Sequence, residues 1–143
     1  MPANTIVIRN SFAELARLNR EVGELLAAVN ASPAIVNLAE LVLEEIVTNV
    51  IKYGFTDGAE HPIEIGVEAD ASGMTLSVID TGREFNPLSL PDPDINAPIE
   101  EREIGGLGVM MVRTMMDSVE YRREGDKNIF LMRKKFGDET ATP

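Results

Sequence analysis

"PIEIGVEADASGMTLSVID", residues 62–80, alternates apolar and polar side chains on either side of Ser72 and Gly73. A period of two predicts half-buried strands, here 62–70 and 74–80, and the small polar pair between them predicts a tight hairpin turn. Further along, "SVEYRRE" at 118–124 and "NIFLMRKKF" at 128–136 repeat the pattern across "GDK". "TIVIR" at 5–9 reads as one more short strand. Strands that come as adjacent hairpins need no crossover helices, so this chain is not a doubly wound, Rossmann-like protein.

Helical signals fill the spaces between the strands. Ser11 with Glu14 three residues on has a capping-box pattern, and Phe12, Leu15, Leu18, Val22, Leu25, Leu26 and Val29 keep helical spacing to about Asn30. Ser32 before Pro33 starts a second helix, which runs to about Tyr53 and ends at Gly54. A third helix is expected over 107–117. The order is β-α-α-β-β-loop-α-β-β. It predicts an α+β fold, a two-layer sandwich with helices on one face of a mixed, mostly antiparallel sheet. The stretch from Thr81 to about Gly106 is rich in Pro, Asp, Asn and Gly and is long for a loop in a compact domain, which suggests a functional lid. One domain over 1–143 is expected, ordered over about 5–136.

Composition narrows the function. The chain has 143 residues and a net charge of −11, which disfavours direct nucleic-acid binding and an anionic membrane surface. It has no cysteine, which excludes disulfides, thiolate metal sites and cysteine nucleophiles and suits a cytoplasmic location. His61, the only histidine, stands beside a turn-like stretch and is expected to be an ordinary loop or strand-edge residue. No signal peptide is evident, and no apolar run reaches the roughly 18 residues of a membrane span.

Three places carry potential chemistry. In "LEEIVTNVIKYGF", 43–55, Glu45 and Asn49 lie about 40° apart on one shoulder of the apolar stripe. Glu44 falls on the other shoulder. An amide oxygen is a hard ligand suited to Mg²⁺, and a carboxylate can accept a proton; an ordinary solvated helix also carries such pairs. Asp80 ends an apolar strand and is followed by Gly82, an arrangement that serves ligand recognition or simply a turn. Gly105, Gly106 and Gly108 precede or open the third helix, where backbone N–H groups favour anions, although a flexible hinge is equally served. The Met residues at 110, 111, 115 and 116 suit core packing, with at least half of them buried.

In this order and spacing, "EIVTN", "DTGREF" and "GGLG" resemble the nucleotide motifs of the Bergerat-fold (GHKL) ATPases, and the β-α-α start resembles the anti-sigma factor serine/threonine kinases among them. The resemblance covers about residues 5–135. It implies ATP and Mg²⁺ as cofactors, with Glu45 as general base toward a protein serine or threonine and Asn49 as magnesium ligand. It implies that Asp80 accepts from the adenine amine, that Gly82 lets the base lie close to the backbone, and that Gly106 and Gly108 hold phosphates. Residues 86–105 become the ATP lid, with Arg102 a phosphate contact within it, and Asn128 stands near the base where many relatives have threonine. The implied partners are a sigma factor and a STAS-domain anti-sigma antagonist, which the kinase phosphorylates. Homodimers are common in the family, and Arg17 and Arg20 lie in a region that contacts partners in it.

Some positions depart from the family. Lys52 stands where histidine is frequent, and "REF" replaces a more glycine-rich stretch. A non-catalytic, nucleotide-dependent interaction module is therefore the alternative to a kinase. A hydrolase or the detached ATPase part of a histidine kinase is a third; no phosphoacceptor-histidine helix precedes the domain.

Overall fold

The computed structural model describes residues 4–89 and 106–137. Five strands form one sheet: β1 (Asn4–Arg9), β2 (Pro62–Asp70), β3 (Gly73–Asp80), β4 (Ser118–Glu124) and β5 (Lys127–Lys135), in the spatial order β1-β2-β3-β5-β4. Every pairing is antiparallel. Three helices accompany it: α1 (Leu15–Ala27), α2 (Pro33–Tyr53) and α3 (Gly106–Met115). The expected α+β architecture is present, with an antiparallel rather than mixed sheet.

The periodicities explain the layers. Ile63, Ile65 and Val67 of β2 and Met74, Leu76 and Val78 of β3 are buried at every second position. They meet Leu18, Val22 and Leu26 of α1 and Ile35, Leu43, Ile46 and Val47 of α2 in one core. Each such side chain contributes about 1.5–3 kcal/mol by leaving water. α2 is the central helix, packed against α1, α3 and β3. Its start is fixed by Ser32, whose hydroxyl accepts from Ile35 N at 3.2 Å, with Pro33 in the first turn. Its end is fixed at Gly54, whose N–H donates to Val50 O at 2.8 Å and where an added Cβ would lie 2.7 Å from that same oxygen.

Four local expectations are corrected. The first hairpin turns at Ala71 and Ser72, while Gly73 already pairs with Asp70 as the first residue of β3, where a side chain would lie 2.7 Å from Lys134 O of the neighbouring strand. The capping box before α1 is not formed: Ser11 caps a short 3-10 turn, Phe12–Glu14, and the Glu14 carboxylate reaches back to Arg9 N (2.9 Å) instead of Ser11 N. Phe12 therefore points outward and is 52% exposed. Among the methionines of the third helical segment only Met116 is buried; Met110 and Met111 are half-buried and Met115 is exposed.

Arg17 is engaged within the protein. Its guanidinium bonds Glu14 (3.1 Å), Glu21 (2.8 Å) and the free carbonyl of Val7 on the edge strand β1 (2.9 Å). With Arg9 N on the same Glu14, these contacts occupy edge groups that would otherwise invite another strand. Arg17, foremost, and Arg9 hold the Glu14 carboxyl down at about 2. His61 sits just before β2, its ring stacked on Phe55 (4.2 Å between centroids) and its Nε2 against Asp57 (2.8 Å). No helix among the described residues is long and apolar enough to cross a membrane.

Candidate functional site

Glu45, Ile46, Asn49 and Val50 occupy helical positions i, i+1, i+4 and i+5 of α2 and so share one side of it. Glu45 is half-buried, and burial, opposed by the charge of exposed Lys52, pushes its carboxyl above the usual range. A carboxylate raised in this way is a better proton acceptor near neutral pH. Asn49 is 1% exposed, and its Nδ2 has no hydrogen-bond partner among the described residues. Buried amides are nearly always paired, and an unpaired one costs about 1–3 kcal/mol, so the missing partner is informative.

Asp80 is placed by the same alternation that buries Met74, Leu76 and Val78; it is the last inward position of β3 and is 5% exposed. The β3–β5 register sets Asn128 directly beside it. Asp80 Oδ1 accepts from Gly82 N at 2.8 Å and from Asn128 Nδ2 at 3.0 Å. Asn128 Nδ2 also donates to Arg83 O at 2.8 Å, and Asn128 Oδ1 accepts from the Tyr121 hydroxyl at 2.5 Å and from Phe85 N at 3.3 Å.

Beside this cluster lies a small cavity of about 20 Å³, walled by Ile46, Val50 and Gly54 of the α2 side, Val78 and Asp80 of β3, Phe85 and Pro87, and Tyr121, Asn128 and Phe130. That is room for about one water. The turn forming one wall is held from three sides. Arg83 N donates to Gly54 O (2.9 Å) and its Nε to Tyr53 O (2.5 Å), while Arg123 donates to Gly82 O (2.8 Å). The need for glycine at 82 arises inside the protein: a Cβ there would collide with Gly54 O and stand 2.9 Å from Asp80 Oδ1.

Gly106 opens α3, and Gly108 one turn in lies against the Glu45 carboxylate, so that a Cβ at 108 would overlap the carboxylate oxygen Oε2 and lie 2.7 Å from Glu45 Cγ. Arg113 of α3 donates to Leu88 O, in the short 3-10 turn Pro87–Ser89. Arg102 and lid residues 90–105 lie outside the described residues.

The three motifs thus meet α2 on one side: Gly108 at Glu45, and the Asp80 cavity at Ile46 and Val50, with Asn49 on the intervening turn. Sequence reasoning did not single out Tyr121 and Arg123 as part of this cluster. Tyr121 is two residues from Val119 and so faces inward with it, but its contact with Asn128 depends on the β4–β5 register. Among the described residues no three acidic or histidine side chains gather to hold a metal by themselves.

Comparison with known proteins agrees with this fold. Among curated proteins, the serine/threonine-protein kinase BtrW of Bordetella bronchiseptica is 23% identical over 62% of this chain and 62% of its own length. The serine-protein kinase RsbW of Halalkalibacterium halodurans is 29% identical over 68% of this chain and 60% of its own, and RsbW of Bacillus mycoides is 26% identical over 64% and 59%. The match thus spans less than two thirds of each relative's length. Among solved structures, the RsbU and RsbW domains of a Mycobacterium tuberculosis protein superpose with a TM-score of 0.67 at 13% identity, over 94% of this chain and 32% of that one. The histidine kinase domain of a blue-light activated kinase from Erythrobacter litoralis gives 0.56 at 14%, over 90% and 62%. Both share the fold. The family model described as the histidine kinase-like ATPase domain matches residues 8–134. This chain is similar to the protein kinases RsbW and BtrW, and with nearly its whole length matched, it belongs to the histidine kinase-like ATPase domain family.

Proposed function

We propose that this protein is an ATP-dependent serine/threonine kinase of the anti-sigma type, which phosphorylates a STAS-class antagonist and sequesters a sigma factor. The observation that carries the reading is Asn49: a buried amide whose nitrogen has no partner among the described residues, set between a carboxylate of raised pKa and the Asp80 cavity. These residues fit a magnesium-bound triphosphate. Mg²⁺ usually takes one or two protein oxygens and completes its shell with phosphates and water, which suits a site with one amide ligand.

When bound, Mg-ATP supplies the phosphoryl group, for which positioning and charge neutralisation matter more than covalent help from the protein. Glu45 accepts the proton of the incoming serine or threonine hydroxyl. Asn49 would hold the metal through its amide oxygen. Asp80 would accept from the adenine amine, and the backbone at Gly106 and Gly108, at the positive end of α3, would hold phosphate. Arg102, outside the described residues, would be a further phosphate contact. A purine is larger than the cavity, which would have to widen to admit it, and a phosphate chain at Glu45 would need Gly108 to draw away.

The second reading is a nucleotide-dependent interaction module without transfer. The seating of Gly108 on the Glu45 carboxylate favours it, since that contact keeps the acid from a substrate hydroxyl. Incubation with labelled ATP, Mg²⁺ and a STAS-class partner separates the two. Label on a partner serine, lost with Glu45→Ala, is expected; ATP binding without transfer to any candidate partner would favour the module.

A further inference from the structure

Tyr121 and Asn128 line the Asp80 cavity, and the proposed mechanism uses neither. The β4–β5 register places Tyr121 opposite Phe130 on the inward face, and its hydroxyl donates to Asn128 Oδ1 at 2.5 Å. The other end of that amide is equally committed. Asn128 Nδ2 donates to Asp80 Oδ1 at 3.0 Å and to Arg83 O at 2.8 Å. Turning the amide over would set its oxygen against a carboxylate and a carbonyl, and its NH₂ against Phe85 N–H. The Asp80 carboxylate, Arg83 O and Phe85 N–H therefore set the orientation of the Asn128 amide, and the Tyr121 hydroxyl adds a further bond that holds it in place.

Two consequences follow. Contacts with described residues already take up both ends of the Asn128 amide, which leaves it little with which to read a base. Its effect falls on Asp80, whose two hydrogen bonds among the described residues both end on Oδ1, leaving Oδ2 as the acceptor on offer. Burial, the largest influence on the phenol, pushes the Tyr121 pKa up, so the group stays a donor at ordinary pH.

We infer that Tyr121 is a positioning residue for base selectivity: acting through Asn128, its hydroxyl fixes the Asp80 carboxylate as an acceptor toward the cavity, which favours a purine carrying an exocyclic amine over one carrying a carbonyl at that position. This rests on the nucleotide reading above. A carbonyl facing a fixed carboxylate brings two acceptors together with no proton between them. A carboxylate free to rotate relieves that conflict, so a loosened Asp80 discriminates less.

The test compares Mg-ATP with Mg-ITP, which differ at the atom facing Asp80, by direct binding. The wild type is expected to prefer ATP. Tyr121→Phe keeps the ring and removes only the hydroxyl, and is expected to lower the ATP-over-ITP ratio by about five- to tenfold. In an Asp80→Asn background the same change is expected to leave the ratio where Asp80→Asn alone puts it, since the two act through one group. A Tyr121→Phe protein that melts lower but keeps its ratio within about twofold overturns the inference, because the hydroxyl is then structural only. An equal further loss in the Asp80→Asn background overturns it as well. A wild type that binds ATP and ITP alike sinks the inference and leaves a nucleotide site standing; a wild type that binds neither sinks both.

Discussion

Asn49→Ala separates a residue kept for stability from one kept for a ligand. The Nδ2 of Asn49 is buried without a partner among the described residues, and such a group costs about 1–3 kcal/mol that truncation recovers. Position 49 is also well inside α2, where alanine is favoured over asparagine by about 0.6 kcal/mol. Against this stands the space left by the side chain, about 1–2 kcal/mol for a small truncation in a packed site. The net is a change of about −0.5 to +2.5 kcal/mol in stability, which for a domain of this size moves the melting temperature by about −2 to +9 °C. The assay is thermal unfolding with and without Mg-ATP. At a hundredfold excess over Kd the wild type gains about 2.7 kcal/mol from ligand, and the variant is expected to gain none and to transfer no phosphate. A fall in stability of more than about 2 kcal/mol would refute the reasoning, since the amide would then be hydrogen-bonded. A variant that gains as much from Mg-ATP as wild type would refute the metal assignment.

Three further outcomes are expected. Lys52→Met removes the positive charge that opposes the burial of Glu45, so the acid limb of the pH–rate profile for transfer should move to higher pH; an unmoved limb would mean Glu45 is not the base. Gly108→Ala crowds the Glu45 carboxylate in the ligand-free arrangement but not once Gly108 is drawn away, so it should lower the melting temperature without nucleotide and enlarge the gain on adding Mg-ATP; an unchanged gain would exclude that geometry. Glu14 has a folded pKa of about 2 against 4.5. Its contribution is full above the unfolded value and is lost as pH falls from about 4.5 toward 2. Melting curves between pH 5 and 2 should show a steeper fall for wild type than for Arg17→Ala, and parallel curves would contradict this.

How much of this could be read from residues alone depends on whether the determining contact is local. The alternation in 62–80 fixed a hairpin and carried Asp80 to a buried inward position, because period two reaches the end of the strand unchanged. Ser32, Pro33 and Gly54 marked α2 within a residue, since caps are local chemistry. The side shared by Glu45 and Asn49 followed from helical spacing. What escaped depends on register and packing between distant segments. Glu14 prefers the free edge of β1 to its own capping box because Arg9 and Arg17 are both within reach there. Tyr121 meets Asn128 only because β4 and β5 pair with Tyr121 opposite Phe130. Arg83 ties its turn to the end of α2 thirty residues away in sequence, which gives the "REF" stretch a tethering role that composition did not suggest.

The most direct measurement is a crystal structure with Mg²⁺ and a nonhydrolysable ATP analogue. The account predicts the adenine amine on the Asp80 carboxylate, Asn49 Oδ1 on the metal, phosphates at the start of α3, and Gly108 drawn away from Glu45. Nucleotide bound elsewhere, as in the groove lined by Asp70, Asp117 and Arg133 at the far end of the sheet, with Asn49 still unpartnered, would contradict it.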